Sequence, residues 1–222
     1  PNVQFLSMPN IDSFILGVTE QCNLRCTYCC YSGSYPNNRP HSAKYMESND
    51  IDSIFDFIEN ISPDRAIRIS FYGGEPLLQY KLIQYAVDLG YKKWGNKVTF
   101  SISTNGVLLT PAIIDWIITN NIELAISIDG AEEYHDKHRI DISGNGSFSK
   151  IKSALSYIKA NYSKSYWDIT IMMTLPSFKS IGEIAESWHN EPLLKSLSPT
   201  MINGLAPNFA SGVEMVEYDE VC

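Results

Sequence analysis

Long apolar runs are missing from this sequence of 222 residues. No stretch approaches the roughly 18 apolar residues of a membrane-crossing helix. The opening Pro1-Asn-Val-Gln-Phe-Leu6 has no basic leader with an apolar segment behind it. A soluble, cytoplasmic protein is therefore expected. Positive charge is also in short supply: 17 Lys and Arg stand against 25 Asp and Glu, a net charge of −8. That balance argues against a general nucleic-acid or anionic-membrane partner. There are only five cysteines, and four of them crowd between positions 22 and 30. Disulfide frameworks spread their cysteines along the chain, so the crowding points instead to metal or redox chemistry in a reducing compartment. There is no internal repeat and no low-complexity segment. Pro1 is not an initiator methionine, and nothing follows Cys222 to partner it. The sequence is therefore expected to be part of a longer protein.

What is present is concentrated in Cys22-Asn-Leu-Arg-Cys26-Thr-Tyr-Cys29. Three thiolates spaced C-x3-C-x2-C on a short loop can hold three corners of a [4Fe–4S] cube and leave the fourth iron open to something other than protein. A structural zinc site needs four ligands. Cys30 and His41 are the spare donors nearby, but Cys30 directly follows Cys29, and adjacent residues rarely both reach one metal. Zinc is the minor reading.

Apolar, β-rich runs alternate with helical patterns. Strands are expected at Ser13–Thr19, Ala66–Phe71, Lys97–Ser103, Ile122–Ile128, Asp168–Thr174 and Ser198–Asn203. Helices are expected at Asp50–Asn60, Leu78–Lys93, Ala112–Asn120, Phe148–Ala160 and Ile181–Lys195, the last disturbed by Pro192. Ser48 or Asn49 would cap the first, and Thr110-Pro111 would start the third. The alternation implies parallel βα units, an α/β fold that is either an open doubly wound sheet or an incomplete barrel. The strands read as nearly continuous apolar runs, the pattern expected when both faces of a sheet are covered. Residues 1–12 form an N-terminal segment, 13–205 the main domain, and 206–222 the start of an extension or linker. The polar clusters fall at the carboxyl ends of strands, where sites of such folds lie: the cysteine loop, Gly73-Gly74-Glu75-Pro76, Ser103-Thr-Asn105-Gly106, Ser127-Ile-Asp-Gly130 and Met173-Thr174. By itself Gly73-Gly74-Glu75-Pro76 is a strand-to-helix turn. Beside the cysteines it reads as a place where a ligand approaches the main chain.

The C-x3-C-x2-C loop after a first strand, the GGEP turn, the strand ending Ser-Thr-Asn-Gly, and Ser127-Ile-Asp-Gly followed by His135-Asp-Lys-His-Arg139 and Gly144-Asn-Gly-Ser-Phe148 together resemble the radical S-adenosylmethionine family. The likeness is to its peptide- and protein-modifying branch of ribosomal-peptide maturases and anaerobic sulfatase maturases. It covers residues 13–205 and implies a partial (β/α)6 parallel barrel. It further implies that Cys22, Cys26 and Cys29 ligate the cluster and that S-adenosylmethionine chelates the open iron. Gly73, Gly74 and Glu75 would meet the amino group, and Ser127 and Arg139 the carboxylate and ribose. Ser103 and Asn105 would touch the ribose, and Tyr28 with Met172–Leu175 the adenine. Lys137 and Arg68 compete with Arg139 as the cation. His135 and His138 are given no role, and Cys30 is read as a buried bystander.

The implied activity is that of an oxidoreductase-like enzyme abstracting hydrogen from a peptide or protein, with flavodoxin or ferredoxin as reductant. Thioether formation, carbon crosslinking, epimerisation and formylglycine formation all stay open. Auxiliary clusters would need cysteines beyond Cys222. The competing classes are an iron–sulfur electron carrier and a zinc-binding module, neither of which needs the GGEP turn or the strand-end groups.

Overall fold

The computed structural model describes residues 11–33, 37–61, 65–175 and 181–204. The expected N-terminal segment 1–12 is described only at Ile11 and Asp12, and the expected extension 206–222, Cys222 included, lies outside the described residues, as does Pro176. Six parallel strands form one sheet in sequence order: β1 (Ser13–Thr19), β2 (Ile67–Gly73), β3 (Val98–Thr104), β4 (Glu123–Ser127), β5 (Thr170–Leu175) and β6 (Pro199–Gly204). Seven helices connect or follow them among the described residues: α1 (Ser48–Ile61), α2 (Tyr80–Trp94), α3 (Pro111–Thr119), α4 (Glu132–His138), α5 (Phe148–Asn161), α6 (Ser163–Trp167) and α7 (Ile181–Asn190). An unbroken order of parallel neighbours is the arrangement of an incomplete barrel. A doubly wound sheet would reverse its order midway. No described helix is long and apolar enough to cross a membrane.

One face of the sheet makes the core. Ile67, Ile69 and Phe71 of β2, Val98, Phe100 and Ile102 of β3, and Leu124 and Ile126 of β4 are buried against the helices. From the helix side come Ile51, Phe55 and Ile58 of α1, Ile83, Ala86, Val87 and Gly90 of α2, and Phe148, Ile151, Leu155 and Ile158 of α5. Those positions recur every three or four residues, so each helix buries a single stripe. Each fully buried Ile, Leu or Phe contributes roughly 1.5–3 kcal/mol. Thr110 caps α3 by accepting from the Ile113 amide at 3.4 Å, and Pro111 occupies the first turn as expected.

The other face corrects the expectation of two covered faces. Ser70, Ser101, Ser103, Ala125, Ser127, Thr170, Met172 and Thr174 are half-buried, while Arg68, Tyr72 and Thr99 are exposed. The strands therefore alternate with period 2, and the concave side carries mostly small polar groups. Ser101 donates to Ser70 across it at 2.8 Å. Other differences are local. The second expected helix begins at Tyr80, after a 3₁₀ turn at Pro76–Gln79. Helix α7 stops at Asn190, before Pro192, which cannot donate within a helix. Helices α4 and α6 were not anticipated.

Candidate active site

The cysteine loop leaves β1 at Thr19 and is held from two sides. On one, Gly74 N–H donates to Thr19 O at 2.9 Å and Glu75 N–H to Gln21 O at 2.8 Å. This pairing explains both glycines. A Cβ on Gly73, whose φ is +145°, would lie 2.3 Å from Thr19 O, and one on Gly74 would lie 2.0 Å from Gln21 O. The glycines are thus required by close approach of the β2 end to the segment feeding Cys22. That main-chain contact by itself accounts for their missing side chains. On the other side, Arg25 N–H donates to Ile140 O at 2.6 Å and Thr27 N–H to His138 O at 3.0 Å. Thr27 Oγ1 and His138 Nδ1 are 2.7 Å apart. His138, given no role from sequence, is thus part of the clamp on the loop.

Cys22, Cys26 and Cys29 open onto a cavity of about 290 Å³ at the carboxyl edge of the sheet, at the lower end of small-molecule pockets. Tyr28, Gly73, Gly74, Ser103, Asn105, Ser127, Arg139, Met172 and Thr174 also line it. Of the expected site residues, Glu75, Met173 and Leu175 are absent from the lining; Met173 and Leu175 point into the core, so of the segment Met172–Leu175 only Met172 and Thr174 face the cavity. The Glu75 side chain is fully buried and its carboxylate accepts from Leu77 N–H (3.1 Å), Thr104 Oγ1 (2.7 Å) and Asn105 N–H (2.8 Å). Three protein donors therefore already meet the carboxylate that was expected at a ligand amino group. Cys30 is exposed and lines the cavity, so it is not a buried bystander.

Arg139 is the cation of the site. Lys137 is exposed, and Arg68 lies at the amino end of the sheet, 3.8 Å from Glu123. Arg139 is buried and forked onto Asp129, Nε to Oδ2 at 2.8 Å and Nη2 to Oδ1 at 3.1 Å. Asp129 also accepts from the Tyr28 hydroxyl and from Thr174 N–H at 2.8 Å. One carboxylate thus joins the cysteine loop, α4 and β5. Burial alone would depress the Arg139 pKa, but the Asp129 charge holds it above the ordinary value. Burial pushes Tyr28 upward, so it stays a neutral donor. The sequence signal for Asp129 is a carboxylate two residues after β4, within the Ser127-Ile-Asp-Gly130 motif.

Burial raises the thiols of Cys22 and Cys29 and pushes Cys26 up to about 12, where the Arg139 charge acts against the rise. Bare thiolates are therefore disfavoured, and a bound cation centre would reverse that preference. The Cys22 sulfur accepts from Leu24 N–H at 3.4 Å and Asn105 Nδ2 at 3.7 Å. The Cys29 sulfur accepts from Tyr31 N–H at 3.4 Å, with His41 Nε2 at 3.6 Å. Among the described residues no three His, Cys, Asp or Glu groups converge on one point as a single ion would require. Three spaced thiols, two of them already met by N–H donors, fit the corners of a cluster.

Two buried groups set opposite acid responses. His135 accepts from Asp129 N–H at 3.4 Å and lies 2.9 Å from Ser147 Oγ. Burial lowers its pKa to about 3. The folded state binds fewer protons than the unfolded one between pH 6.5 and 3, so stability is lost as pH falls through that window. Burial raises Glu75 to about 7; the folded state binds more protons between 7 and 4.5, so stability is gained on the way down. At ~1.4 kcal/mol per unit the terms are about 5 and about 3 kcal/mol. The cofactor-free protein should therefore melt at nearly constant temperature from pH 7 to about 4.5 and lose stability steeply below. His135→Gln should flatten that acid limb; a limb unchanged in this variant would refute the assignment.

An α/β incomplete barrel with a thiol-lined cavity at its carboxyl edge defines the class. A family model described as the Radical SAM superfamily matches residues 16–187, and the chain belongs to that superfamily. The family uses a [4Fe–4S] cluster and S-adenosylmethionine (AdoMet). The chain is similar to the cysteine-type anaerobic sulfatase-maturating enzyme of Clostridium novyi (strain NT), 31% identical over 169 residues, 74% of this chain and 44% of that protein. It is also similar to the radical SAM cyclopropyl synthase TigE of Paramaledivibacter caminithermalis, 26% identical over 160 residues, 68% of this chain and 33% of that protein. The solved structure of anSMEcpe with bound AdoMet superposes with a TM-score of 0.69 at 25% identity, over 90% of this chain and 51% of that one. A second anSMEcpe structure, with AdoMet and the Cp18Cys peptide, gives 0.67 at 26% identity, over 90% and 52%. The chain thus spans about half or less of the length of these relatives.

Proposed function

We propose that this chain is the radical-generating part of an enzyme that modifies a peptide or protein. One observation supports the reading above the others: three cysteines, the strand-end groups Ser103, Asn105 and Ser127, and Arg139 at the end of α4 line a single cavity. Cys22, Cys26 and Cys29 would hold the [4Fe–4S] cluster, with the main chain of Gly73 and Gly74, Ser127 and Arg139 around AdoMet. With both bound, the chemistry supplied is reductive cleavage of AdoMet to a 5′-deoxyadenosyl radical that takes hydrogen from substrate. The protein's own part is to orient and to exclude. Asp129 holds Arg139 and Tyr28 in place, so the guanidinium needs no reordering to meet a carboxylate. Tyr28, Leu24 and Met172 line the cavity beside the thiols.

Peptide maturation is the main reading. Formylglycine formation on a sulfatase is favoured as the second by the likeness to sulfatase-maturating enzymes. A flavodoxin or ferredoxin as electron donor and a cytoplasmic setting complete the proposal. The test is anaerobic reconstitution with iron and sulfide, then reductant and AdoMet. Substrate-free release of 5′-deoxyadenosine is expected, falling to background in Cys26→Ala. A colourless protein without cleavage, or a Cys26→Ala variant with full iron and full cleavage, would overturn the reading.

A further inference from the structure

Glu75 and Asn105 form a buried unit aimed at one sulfur. The Glu75 carboxylate holds the β3 end by accepting from Thr104 Oγ1 at 2.7 Å and from Asn105 N–H at 2.8 Å. Thr104 Oγ1 in turn accepts from Gly106 N–H at 3.0 Å, which leaves its hydroxyl proton for Glu75. The orientation of the Asn105 amide is decided by Val107, whose N–H donates to Asn105 Oδ1 at 3.0 Å. A backbone N–H can only donate, so the facing atom must be oxygen and the Asn105 NH₂ points the other way. There it meets Asn23 Oδ1 at 2.7 Å and Cys22 Sγ at 3.7 Å. Asn105 is buried, so its amide acts with little screening by water.

We propose that Asn105, positioned by Glu75, sets the reduction potential of the cluster through its N–H donation to the Cys22 sulfur. The inference rests on the reading above that Cys22 ligates a [4Fe–4S] cluster. Reduction adds one negative charge, part of which resides on the sulfurs. A donor aimed at a sulfur stabilises the reduced state more than the oxidised one and raises the potential. Cys22 then has two such donors, Leu24 N–H and Asn105. Only the second can be removed by changing a side chain. Glu75 is a positioning residue here, since its carboxylate reaches Asn105 and not the sulfur.

The test is a redox titration of the reconstituted protein, followed by the electron paramagnetic resonance signal of the reduced cluster, with iron content measured on each sample. Asn105→Ala removes the donor. Asn105→Asp keeps an oxygen for Val107 N–H, conserves the shape, and turns an anion toward the sulfur. The potential should fall in the order Asn, Ala, Asp. For Asp the ratio of reduced to oxidised cluster at fixed ambient potential should drop about tenfold, equivalent to about 59 mV for one electron. A purely structural role predicts the reverse ranking, with the isosteric Asp milder than Ala. Equal potentials in fully loaded variants, or Asp above Ala, would overturn the proposal and leave the cluster reading intact. Failure of the unmodified protein to take up a cluster would overturn both.

Discussion

Gly74→Ala is expected to cost roughly 2–5 kcal/mol and to strip the protein of most of its capacity to load iron. The added Cβ would sit 2.0 Å from the carbonyl oxygen of Gln21 and 2.5 Å from its carbon. Both are main-chain atoms, so no flexible side-chain tip can swing aside. The segment from Thr19 to Gln21 must move instead. With it go the bonds from Gly74 N–H to Thr19 O and from Glu75 N–H to Gln21 O. Cys22 is the next residue, so a shift of about an ångström there displaces one corner of the thiol set. Gly17→Ala is the control, since a Cβ at Gly17 meets nothing within 4 Å. It should change stability by no more than about 0.5 kcal/mol. Thermal melts and iron and sulfide analysis of both variants decide the matter. A Gly74→Ala protein that melts and loads like the unmodified one would refute the account of the turn.

Asp129→Asn should destabilise the fold by about 3–5 kcal/mol, because it leaves the buried Arg139 charge without its counterion. At roughly 2–4 °C per kcal/mol for a domain of this size, the midpoint should drop by about 10 °C. The variant also keeps only one of the two oxygens, so either the Tyr28 hydroxyl or Thr174 N–H loses its acceptor. Combining it with Arg139→Met should recover part of the loss, since removing both charges leaves neither stranded. AdoMet binding should not return in the double variant, which separates the structural cost from the ligand role. An Asp129→Asn protein within about 1 kcal/mol of the parent in urea melts would show that the pair is not what joins the loop, α4 and β5.

Much of the fold was legible because its strands and long helices are repetitive. Runs such as Ile67-Arg-Ile-Ser-Phe71 and stripes such as Ile51, Phe55 and Ile58 state their period in a few residues. Helix α4 was not legible: Glu-Glu-Tyr-His-Asp-Lys-His has no apolar stripe, and its anchor is His135, a polar residue buried against Ser147 and Phe148. The polar concave face was written in alternate serines and threonines, but the aliphatic residues between them dominated the reading. In the site, the cysteines and Arg139 were found because their chemistry is distinctive. Glu75 and the two glycines stand out in the sequence as a place for a ligand, and their further service to the main chain depends on atomic distances and not on residue type. Asp129 was missed because a single aspartate at a strand end looks the same whether it faces solvent or a buried arginine.

The sheet runs from β1 to β6 without pairing the two, so among the described residues its margins stay apart. A closed cylinder is loaded only through its mouths, which for a polypeptide means threading a free end. A gutter is different, because the middle of a long chain can be laid in from the side. The groups above the cavity would then be reachable by a residue far from either terminus of its own polypeptide.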